Sequence, residues 1–227
     1  MMRSTRAHRA VLAVACAVVA MAWAADRVVV EDWRSYPPGT RGIPRGWKEQ
    51  NWGKPAYDFE IVSDDGQRAL HLRSKGDSST IGRDLKASID LKETPSLEWR
   101  WKVMTLPSGG NACQKSTDDE AAQVYVAWLR TPEAARSRII GYVWDSTAPA
   151  GTICKSQKTA TVTYVVLRSG SDELGKWITE RRNVAEDFRK IYGEAPDKPT
   201  ALSLGIDSDD TRLSAESFIG PTGFTRP

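Results

Sequence analysis

Histidine and cysteine are scarce in this chain, whose 227 residues include two histidines and three cysteines. Beyond residue 24 only His71, Cys113 and Cys154 remain. With one histidine, neither a Cys/His catalytic pair nor a zinc site of the usual spacing is expected. The chain also lacks a Gly-x-Ser-x-Gly elbow and a phosphate-binding glycine loop. The sequence therefore offers no motif for the commonest nucleophilic, zinc or nucleotide chemistry.

Long apolar runs are absent after the N-terminus. Three arginines precede the uncharged run Val11–Ala22, and Ala22-Trp23-Ala24 provides small residues where a signal peptidase reads the chain. We predict that residues 1–24 are a secretory signal peptide; an uncleaved N-terminal anchor is the alternative. No later segment predicts a membrane span. We expect residues 25–227 to form a single β-sandwich domain in the periplasm or outside the cell.

A surplus of either charge is also absent once the N-terminal segment is set aside. The chain has 32 basic and 29 acidic residues. Three of the basic residues and none of the acidic ones precede residue 25, which leaves 29 of each. Proteins that bind nucleic acid concentrate positive charge on one face. The balanced composition therefore gives no reason to expect a nucleic-acid partner.

The two cysteines beyond the signal peptide, Cys113 and Cys154, both lie in polar segments. In an oxidising compartment an even pair is most simply a disulfide. Free thiols are the alternative. We predict a Cys113–Cys154 disulfide.

Alternating hydrophobicity dominates the rest of the chain. Leu97, Trp99, Trp101 and Val103 alternate with charged residues, which is typical of a half-buried β-strand. Similar patterns recur at short intervals, among them Arg27–Trp33, Tyr57–Val62, Arg68–Arg73, Ser78–Leu91, Val124–Trp128, Arg138–Asp145, Thr159–Arg168, Lys176–Arg182, Ala201–Ile206, Ser214–Ile219 and Thr222–Thr225. An Asp65-Gly66 pair between two of them predicts a hairpin turn.

One segment has helical periodicity instead. Asn183 and Glu186 form a capping box, and Gly193 ends the apolar stripe that follows. About ten strands and one short helix predict an all-β protein. We expect a two-sheet antiparallel β-sandwich of the jelly-roll, lectin-like kind.

The first candidate site lies in the loop where Asp118 and Asp119 follow Lys115, and Tyr125 in the strand after it is a further candidate ligand-binding residue. Adjacent carboxylates can share a cation or divide acid and base roles when their environments differ. The alternative is an ordinary polar loop that begins a strand.

The second candidate site is Asp207, Asp209 and Asp210, at the end of a buried strand. Carboxylate oxygens at this spacing suit Ca²⁺, although the pattern is not an EF-hand, and a turn solvated by aspartates is the alternative. Apart from this candidate calcium ion, no cofactor is expected.

The third candidate is a charged sheet face. Glu98 and Arg100 point away from the tryptophans of their strand, and Glu180 and Arg182 share a face of a later strand. We expect these four residues to line one charged surface together with Lys102. That surface is either solvated or a groove whose charges recognise a polar ligand. Trp144 is the aromatic candidate beside it. For Trp47 and Trp52, in a Pro- and Gly-rich segment, we favour core packing over a ligand platform.

The ordered segments LEWRWKV (97–103), KSTDDEAAQVYVAW (115–128), IIGYVW (139–144), GKWITERRNVAEDFRKIYGEAP (175–196) and LGIDSDDT (204–211) resemble the bacterial secreted family called domain of unknown function 3047. The resemblance covers nearly all of residues 25–227. It implies a secreted or periplasmic β-sandwich without an established activity, and it assigns no catalytic residue.

Three functions follow from these patterns. A non-catalytic module that binds a polysaccharide or another envelope polymer is our leading hypothesis, because aromatic and charged side chains on a sheet face suit sugar rings and hydroxyl groups. A glycan-cleaving enzyme would use a carboxylate pair drawn from Asp118, Asp119, Glu98 and Glu180. A structural envelope protein with a protein partner is the third.

Overall fold

The computed structural model describes residues 27–50, 52–86 and 88–227. The predicted signal peptide and the predicted start of the domain at residue 25 lie outside these residues. Within the described ranges, no helix has both the length and the hydropathy of a membrane span.

The described residues form thirteen strands and two helices. In chain order they are β1 (Arg27–Glu31), β2 (Lys48–Gln50), β3 (Asp58–Asp64), β4 (Gln67–Lys75), β5 (Ser78–Asp84), β6 (Ser96–Thr105), β7 (Ala122–Trp128), α1 (Glu133–Arg136), β8 (Arg138–Asp145), β9 (Ile153–Lys155), β10 (Val162–Ser169), β11 (Ile178–Asn183), α2 (Val184–Tyr192), β12 (Ala201–Asp207) and β13 (Ser214–Thr225). A single 3₁₀ turn occupies Lys115–Thr117.

The strands form two sheets. Sheet 1 has the order β11-β6-β13-β4-β3, with β1 also paired to β13, and sheet 2 has the order β2-β5-β12-β7-β8-β10-β9. The all-β, two-sheet sandwich predicted from the sequence is confirmed. One pair departs from the antiparallel expectation, because β10 lies parallel to β8. Parallel neighbours need a crossover connection, and residues 146–161 supply it, with β9 folded back antiparallel onto β10.

The core lies between the sheets and follows from the alternation in the sequence. Leu97, Trp99, Trp101 and Val103 of β6 are all fully buried. On sheet 2, the inward residues of β7, β8 and β12 join the same hydrophobic cluster. Each large apolar side chain removed from water stabilises the fold by about 1.5–3 kcal/mol. The aromatic face of β6 is therefore the centre of the core.

Local signals define several boundaries as expected. Asn183 Oδ1 accepts a hydrogen bond from the Glu186 amide at 3.1 Å, which caps α2, and Gly193 ends the helix with a φ of 72°. Asp65-Gly66 forms the β3–β4 turn with two positive φ angles. The strand signal predicted within 78–91 corresponds to β5, which ends at Asp84. Lys86 turns the chain with a positive φ, and its amide donates to Asp84 Oδ1 at 2.6 Å.

Candidate ligand-binding site

A cavity of about 240 Å³ opens on the face of sheet 2 that points away from the core. Strands β5, β7, β10 and β12 form its walls. The loop between β2 and β3, the loops before β7 and β10, and the loop after β12 complete the lining. Its lining residues are Trp52, Gly53, Ser78, Thr80, Asp118, Gln123, Tyr125, Lys158, Thr159, Val162, Tyr164, Asp207 and Asp209. Asp118, Tyr125, Asp207 and Asp209 are among the residues predicted from the sequence.

Strand alternation decides which side chains reach this cavity. Val124 and Val126 of β7 point into the main core, whereas Gln123 and Tyr125 point to the outward face. The space they occupy depends on glycine in the neighbouring strand. A Cβ atom at Gly205 would lie 2.4 Å from Gln123 Oε1 and 2.7 Å from Thr80 Oγ1. Glycine at 205 therefore leaves room for the polar side chains of the wall.

Three aromatic rings form the apolar part of the cavity. Trp52 meets Tyr125 edge-on, with ring centroids 5.7 Å apart, and Tyr125 lies 6.5 Å from Tyr164. Trp52 is half-buried, whereas the two tyrosines are almost fully buried. Trp47, in contrast, is buried in the core and stacks on Trp33 at 5.5 Å. The core packing favoured for both tryptophans thus describes Trp47, while Trp52 lines the cavity.

Two acidic segments meet beside the cavity. Asp118, Asp119 and Glu120 precede β7, and the second segment, Asp207 to Asp210, follows β12. Asp119 joins them, because its Oδ1 accepts from the Asp210 amide at 3.1 Å and its Oδ2 accepts from the Thr211 amide at 2.6 Å. The pairing of β7 with β12 brings the two segments together. The first and second sequence candidates are therefore one cluster.

Burial changes the protonation of several carboxyl groups in this acidic cluster. Desolvation raises the pKa of Asp118 to about 6, against the opposing effect of Lys158. Desolvation, followed by the charge of Asp209, raises the pKa of Asp207 to about 9. Glu120 is fully buried, and its pKa lies well above the usual value because of burial and then the charge of Asp118. Burial therefore shifts all three groups toward the protonated form, Asp118 less than Asp207.

Lys158 is the basic residue that lines the cavity. Its Nζ contacts Asp210 Oδ2 and lies 3.8 Å from Asp209 Oδ1. Lys115, the cation expected from the sequence, is exposed on its 3₁₀ turn and does not line the cavity. Lys158 lies in a polar loop 40 residues beyond Asp118 in numbering, and no local pattern marks it. Its role depends on the crossover between β8 and β10.

The oxygen atoms that could hold a metal ion come from both acidic segments. Asp119, Asp207 and Asp209 each place one carboxylate oxygen within 4.8 Å of the others. The calcium candidates from the sequence were Asp207, Asp209 and Asp210. In the structure Asp210 instead accepts from the Asp118 amide and from Lys158. Asp119, and not Asp210, is therefore the third member of the group of oxygens that could hold a metal ion.

The charged face of sheet 1 lies apart from this cavity. Arg27 Nη1 donates to Glu98 Oε1 at 3.0 Å. Arg100 donates to Gln67 at 2.9 Å, and its guanidinium lies 5.3 Å from the Trp177 ring centre. Glu98 and Arg100 therefore each have a partner on the surface of sheet 1, Arg27 for Glu98 and Gln67 for Arg100.

Glu180 and Arg182 do not share that charged face, so the expected single surface of four charged residues is wrong. In the antiparallel β11–β6 pair, Glu180 lies opposite Trp99 and therefore points to the same side as the tryptophans. Its carboxylate accepts from Trp101 Nε1 at 3.2 Å and from Arg168 Nε at 2.7 Å. The sequence shows alternation within each strand, but the register between strands sets the shared face.

Arg182 and Trp144 also make contacts away from the cavity, Arg182 as a half-buried residue and Trp144 in the core. Arg182 binds both oxygens of Asp187 on α2, with the Nε–Oδ2 distance at 3.0 Å. Trp144 is 1% exposed and packs near Trp101, with ring centroids 5.9 Å apart. Neither residue lines the cavity.

The four carboxylates considered for glycan cleavage are dispersed. Asp118 alone among them lines the cavity. Asp119 is fully buried behind it, with both oxygens bonded to the backbone. Glu98 and Glu180 belong to sheet 1 or its interior. No pair of these four faces a common cleft among the described residues.

The predicted disulfide is present between Cys113 and Cys154, whose Cα atoms are 5.7 Å apart. Both cysteines pack against a second hydrophobic cluster on the outward face of sheet 2, which includes Tyr125 and Tyr164. The disulfide therefore links the loop before β7 to β9 on the side of the sheet that carries the cavity.

A sequence model of the family described as "Protein of unknown function (DUF3047)" matches residues 45–222. The chain belongs to this family, as its resemblance predicts. Comparison with curated proteins gives no sequence match.

Several solved structures are similar to this chain in fold. A family 11 carbohydrate-binding module from Clostridium thermocellum has a TM-score of 0.45 at 9% identity and covers 88% of this chain and 96% of its own. The xyloglucanase domain of NopAA, a type three effector from Sinorhizobium fredii, has a TM-score of 0.44 at 10% identity, with coverage of 87% and 100%. The K2 cleaved adhesin domain of Lys-gingipain has a TM-score of 0.43 at 10% identity, with coverage of 88% and 99%. At these TM-scores the similarities carry no weight for the function.

Proposed function

We propose that the protein binds a hydroxyl-rich polysaccharide or another envelope polymer, without cleaving it, and that one unit of the polymer enters the cavity on sheet 2. The observation that carries the proposal is the combination of Trp52, Tyr125 and Tyr164 with Gln123 and two carboxyl groups around one opening. Aromatic rings pack against sugar rings, and carboxyl and amide groups bond hydroxyls.

The size of the cavity supports a single bound unit. Its volume of about 240 Å³ is below the range of roughly 300–1,000 Å³ that is usual for drug-sized ligands. One sugar ring of a longer chain suits this space better than an oligosaccharide lying wholly inside it. The remainder of the polymer would then extend past Trp52, which is half-buried at the cavity.

The acidic lining of the cavity favours polymers whose sugars carry no negative charge. Asp118, Asp207 and Asp209 line the cavity with one lysine, Lys158. With no cation bound, a uronic acid or phosphate group would meet at close range whichever of these carboxyl groups are ionised, and like charges in a partly desolvated site repel strongly. A neutral or amino sugar therefore fits better than an acidic one.

Localisation in the periplasm or outside the cell is part of the proposal. A Cys113–Cys154 disulfide is stable in an oxidising compartment. The predicted signal peptide at 1–24 would deliver the chain there. A polymer of the cell envelope is then within reach.

Isothermal titration calorimetry against neutral, amino-sugar and uronic-acid polymers tests the proposal. We expect saturable heat with at least one neutral or amino-sugar polymer, and weakening of about tenfold or more in Trp52→Ala, since a tenfold change is about 1.4 kcal/mol. Trp177→Phe is the matched control, because Trp177 lies on sheet 1, against Arg100 and Lys102.

Two results would contradict this function. The first is the absence of heat with every polymer. In that case the protein-partner hypothesis from the sequence is the next to pursue. The second is an equal loss of affinity in Trp52→Ala and Trp177→Phe, which would separate binding from the cavity.

A further inference from the structure

Two buried carboxylate oxygens beside the cavity have no hydrogen-bond partner within the described part of the chain. They are Asp118 Oδ1 and Glu120 Oε1. Asp118 is 4% exposed and lines the cavity together with Asp207 and Asp209, and Glu120 is fully buried. A buried polar atom without a partner costs about 1–3 kcal/mol. Such atoms in a native fold call for an explanation, and an unseen ligand is one.

The charge of the acidic cluster is also unbalanced. Six carboxyl groups lie in the two segments that meet here, namely those of Asp118, Asp119, Glu120, Asp207, Asp209 and Asp210. Among the described salt bridges, Lys158 is the one cation that contacts them, through Asp209 and Asp210. Buried charges need either partners of opposite sign or protons. A bound cation would supply the missing positive charge.

The spacing of three carboxylate oxygens is compatible with one shared metal ion. Asp119, Asp207 and Asp209 each offer an oxygen within 4.8 Å of the others, which is the separation expected of atoms that share one ion at 2.3–2.6 Å. Gly53 keeps the adjacent loop close, because a Cβ atom there would lie 3.0 Å from Asp209 Oδ2. Glycine at residue 53 therefore leaves space beside Asp209 for an ion to approach.

We infer that Asp119, Asp207 and Asp209 bind one Ca²⁺ ion, next to Asp118, which lines the same cavity and has one unpaired buried oxygen. The donors are all hard carboxylate oxygens, which exclude the nitrogen and sulfur ligands that Zn²⁺ prefers. Their unequal burial and loop origin suit the flexible coordination of Ca²⁺ better than the strict octahedron of Mg²⁺. This site does not depend on the polymer proposed above.

Calorimetric titration of the EDTA-treated protein with CaCl₂, paired with thermal unfolding, tests the site. We expect one ion per chain. At a hundred times the dissociation constant, Ca²⁺ should raise the unfolding midpoint by about 5–10 °C. MgCl₂ at equal ionic strength controls for screening and is expected to give a shift at least several-fold smaller.

Variants locate the ion. Asp209→Asn should reduce Ca²⁺ affinity at least tenfold, yet unfold in EDTA at the same or a higher temperature, because one repelling charge is removed. Asp172→Asn, at an exposed acid elsewhere, should bind Ca²⁺ like the parent. If Asp209→Asn does not fold, Asp207→Asn serves instead. The asparagine oxygen can still accept from the Asp209 amide, and its Nδ2 can donate to the Ser78 hydroxyl oxygen, which donates to Asp207 in the parent.

Three results would overturn the inference: no saturable heat with CaCl₂, equal shifts with CaCl₂ and MgCl₂, or unchanged Ca²⁺ affinity in both the Asp209 and Asp207 variants. Failure of the polymer titrations would leave the ion site standing, because its assay contains no polymer. Failure of the ion titration would likewise leave the polymer result intact.

Discussion

The backbone amide of Asp118 donates a hydrogen bond to Asp210 Oδ2 at 3.0 Å, although 92 positions separate the two residues in the chain. Asp119 repeats the link in the other direction, by accepting from the amides of Asp210 and Thr211. These bonds tie the entry to β7 to the exit from β12. The candidate site thus depends on contacts between two loops that are remote in sequence.

Asp119→Ala should destabilise the fold, because it removes the acceptor of two backbone amides in a fully buried position. We expect a loss of roughly 2–4 kcal/mol, since each buried donor left unpaired costs about 1–3 kcal/mol. Urea unfolding of Asp119→Ala against the exposed Asp172→Ala measures the difference. Equal stability of the two variants would show that the loops are held together by other contacts.

Gly205→Ala should both destabilise the protein and close the cavity. The added methyl group would lie 2.4 Å from Gln123 Oε1, and overpacking of this kind costs about 1–3 kcal/mol. The double variant Gly205→Ala/Gln123→Ala should recover part of that stability, because the nearer of the two clashes is removed while Thr80 Oγ1 still lies 2.7 Å from the added Cβ. Chemical denaturation of the single and double variants tests the cycle. Additive losses would contradict a steric cause.

Asp64 should make stability sensitive to acid. The hydrogen bond from Lys102 lowers its pKa below the usual 3.8, with a further contribution from the hydrogen bond of Trp177, and His71 and Lys102 are the titratable groups that face it. A lowered folded pKa means that the stabilisation is present above about pH 4. It is lost as the pH falls through the folded pKa.

The variant Asp64→Asn tests this pH dependence through melting temperatures between pH 7 and pH 2. The parent should be more stable than Asp64→Asn at pH 7, and the difference should shrink as the pH falls through the lowered pKa of Asp64. Asp172→Asn should show no comparable convergence, because its parent carboxyl group is exposed. A constant difference between parent and Asp64→Asn at every pH would contradict the prediction.

Arg168→Met should destabilise the sandwich through Glu180. The Glu180 carboxylate is 9% exposed, and Arg168 Nε donates to it at 2.7 Å. Loss of a hydrogen bond to a charged group costs about 1.5–3 kcal/mol. Adding Glu180→Gln should restore part of this loss, because the neutral amide still accepts from Trp101 Nε1. Urea unfolding should show that recovery. A further loss in the double variant would contradict it.

Removal of the disulfide by Cys113→Ala/Cys154→Ala should lower the free energy of unfolding by about 3–4 kcal/mol, as expected in the chain-entropy model for a closed loop of this length. The two cysteines are 41 positions apart. Guanidinium denaturation of the variant measures the change, and parent protein treated with a reductant should approach the same value. A stable variant with unchanged unfolding would indicate that the loops hold their positions without the bond.

Local patterns were sufficient where a single segment determines the outcome. The alternation of Leu97 to Val103 identified the buried face of β6, because a strand turns successive side chains to opposite sides. Asn183, Glu186 and Gly193 identified the helix boundaries, because capping uses atoms within one or two turns. The even pair of cysteines beyond the signal peptide identified the disulfide.

Relations between strands lay beyond those patterns. The alternation within β11 correctly puts Glu180 and Arg182 on the same face of that strand. The register against β6, however, puts Glu180 on the side of the sheet that carries Trp99, opposite to Glu98. Trp144 and Trp52 are both tryptophans, but Trp144 is buried in the core and Trp52 lines the cavity. Side-chain type and period do not specify which neighbour a strand will meet.

The sequence by itself determined the β-sandwich class, the helix, the disulfide and the list of acidic and aromatic residues from which a site could be built. Only the tertiary structure decided that Asp119 lies next to Asp207 and Asp209. It also decided that Lys158 rather than Lys115 contacts the acidic cluster, through Asp209 and Asp210. Tyr164 and Gln123 complete the cavity for the same reason. The physical reason is that strand order and the crossover after β8 bring together segments up to about ninety residues apart. No periodicity within a segment encodes that proximity.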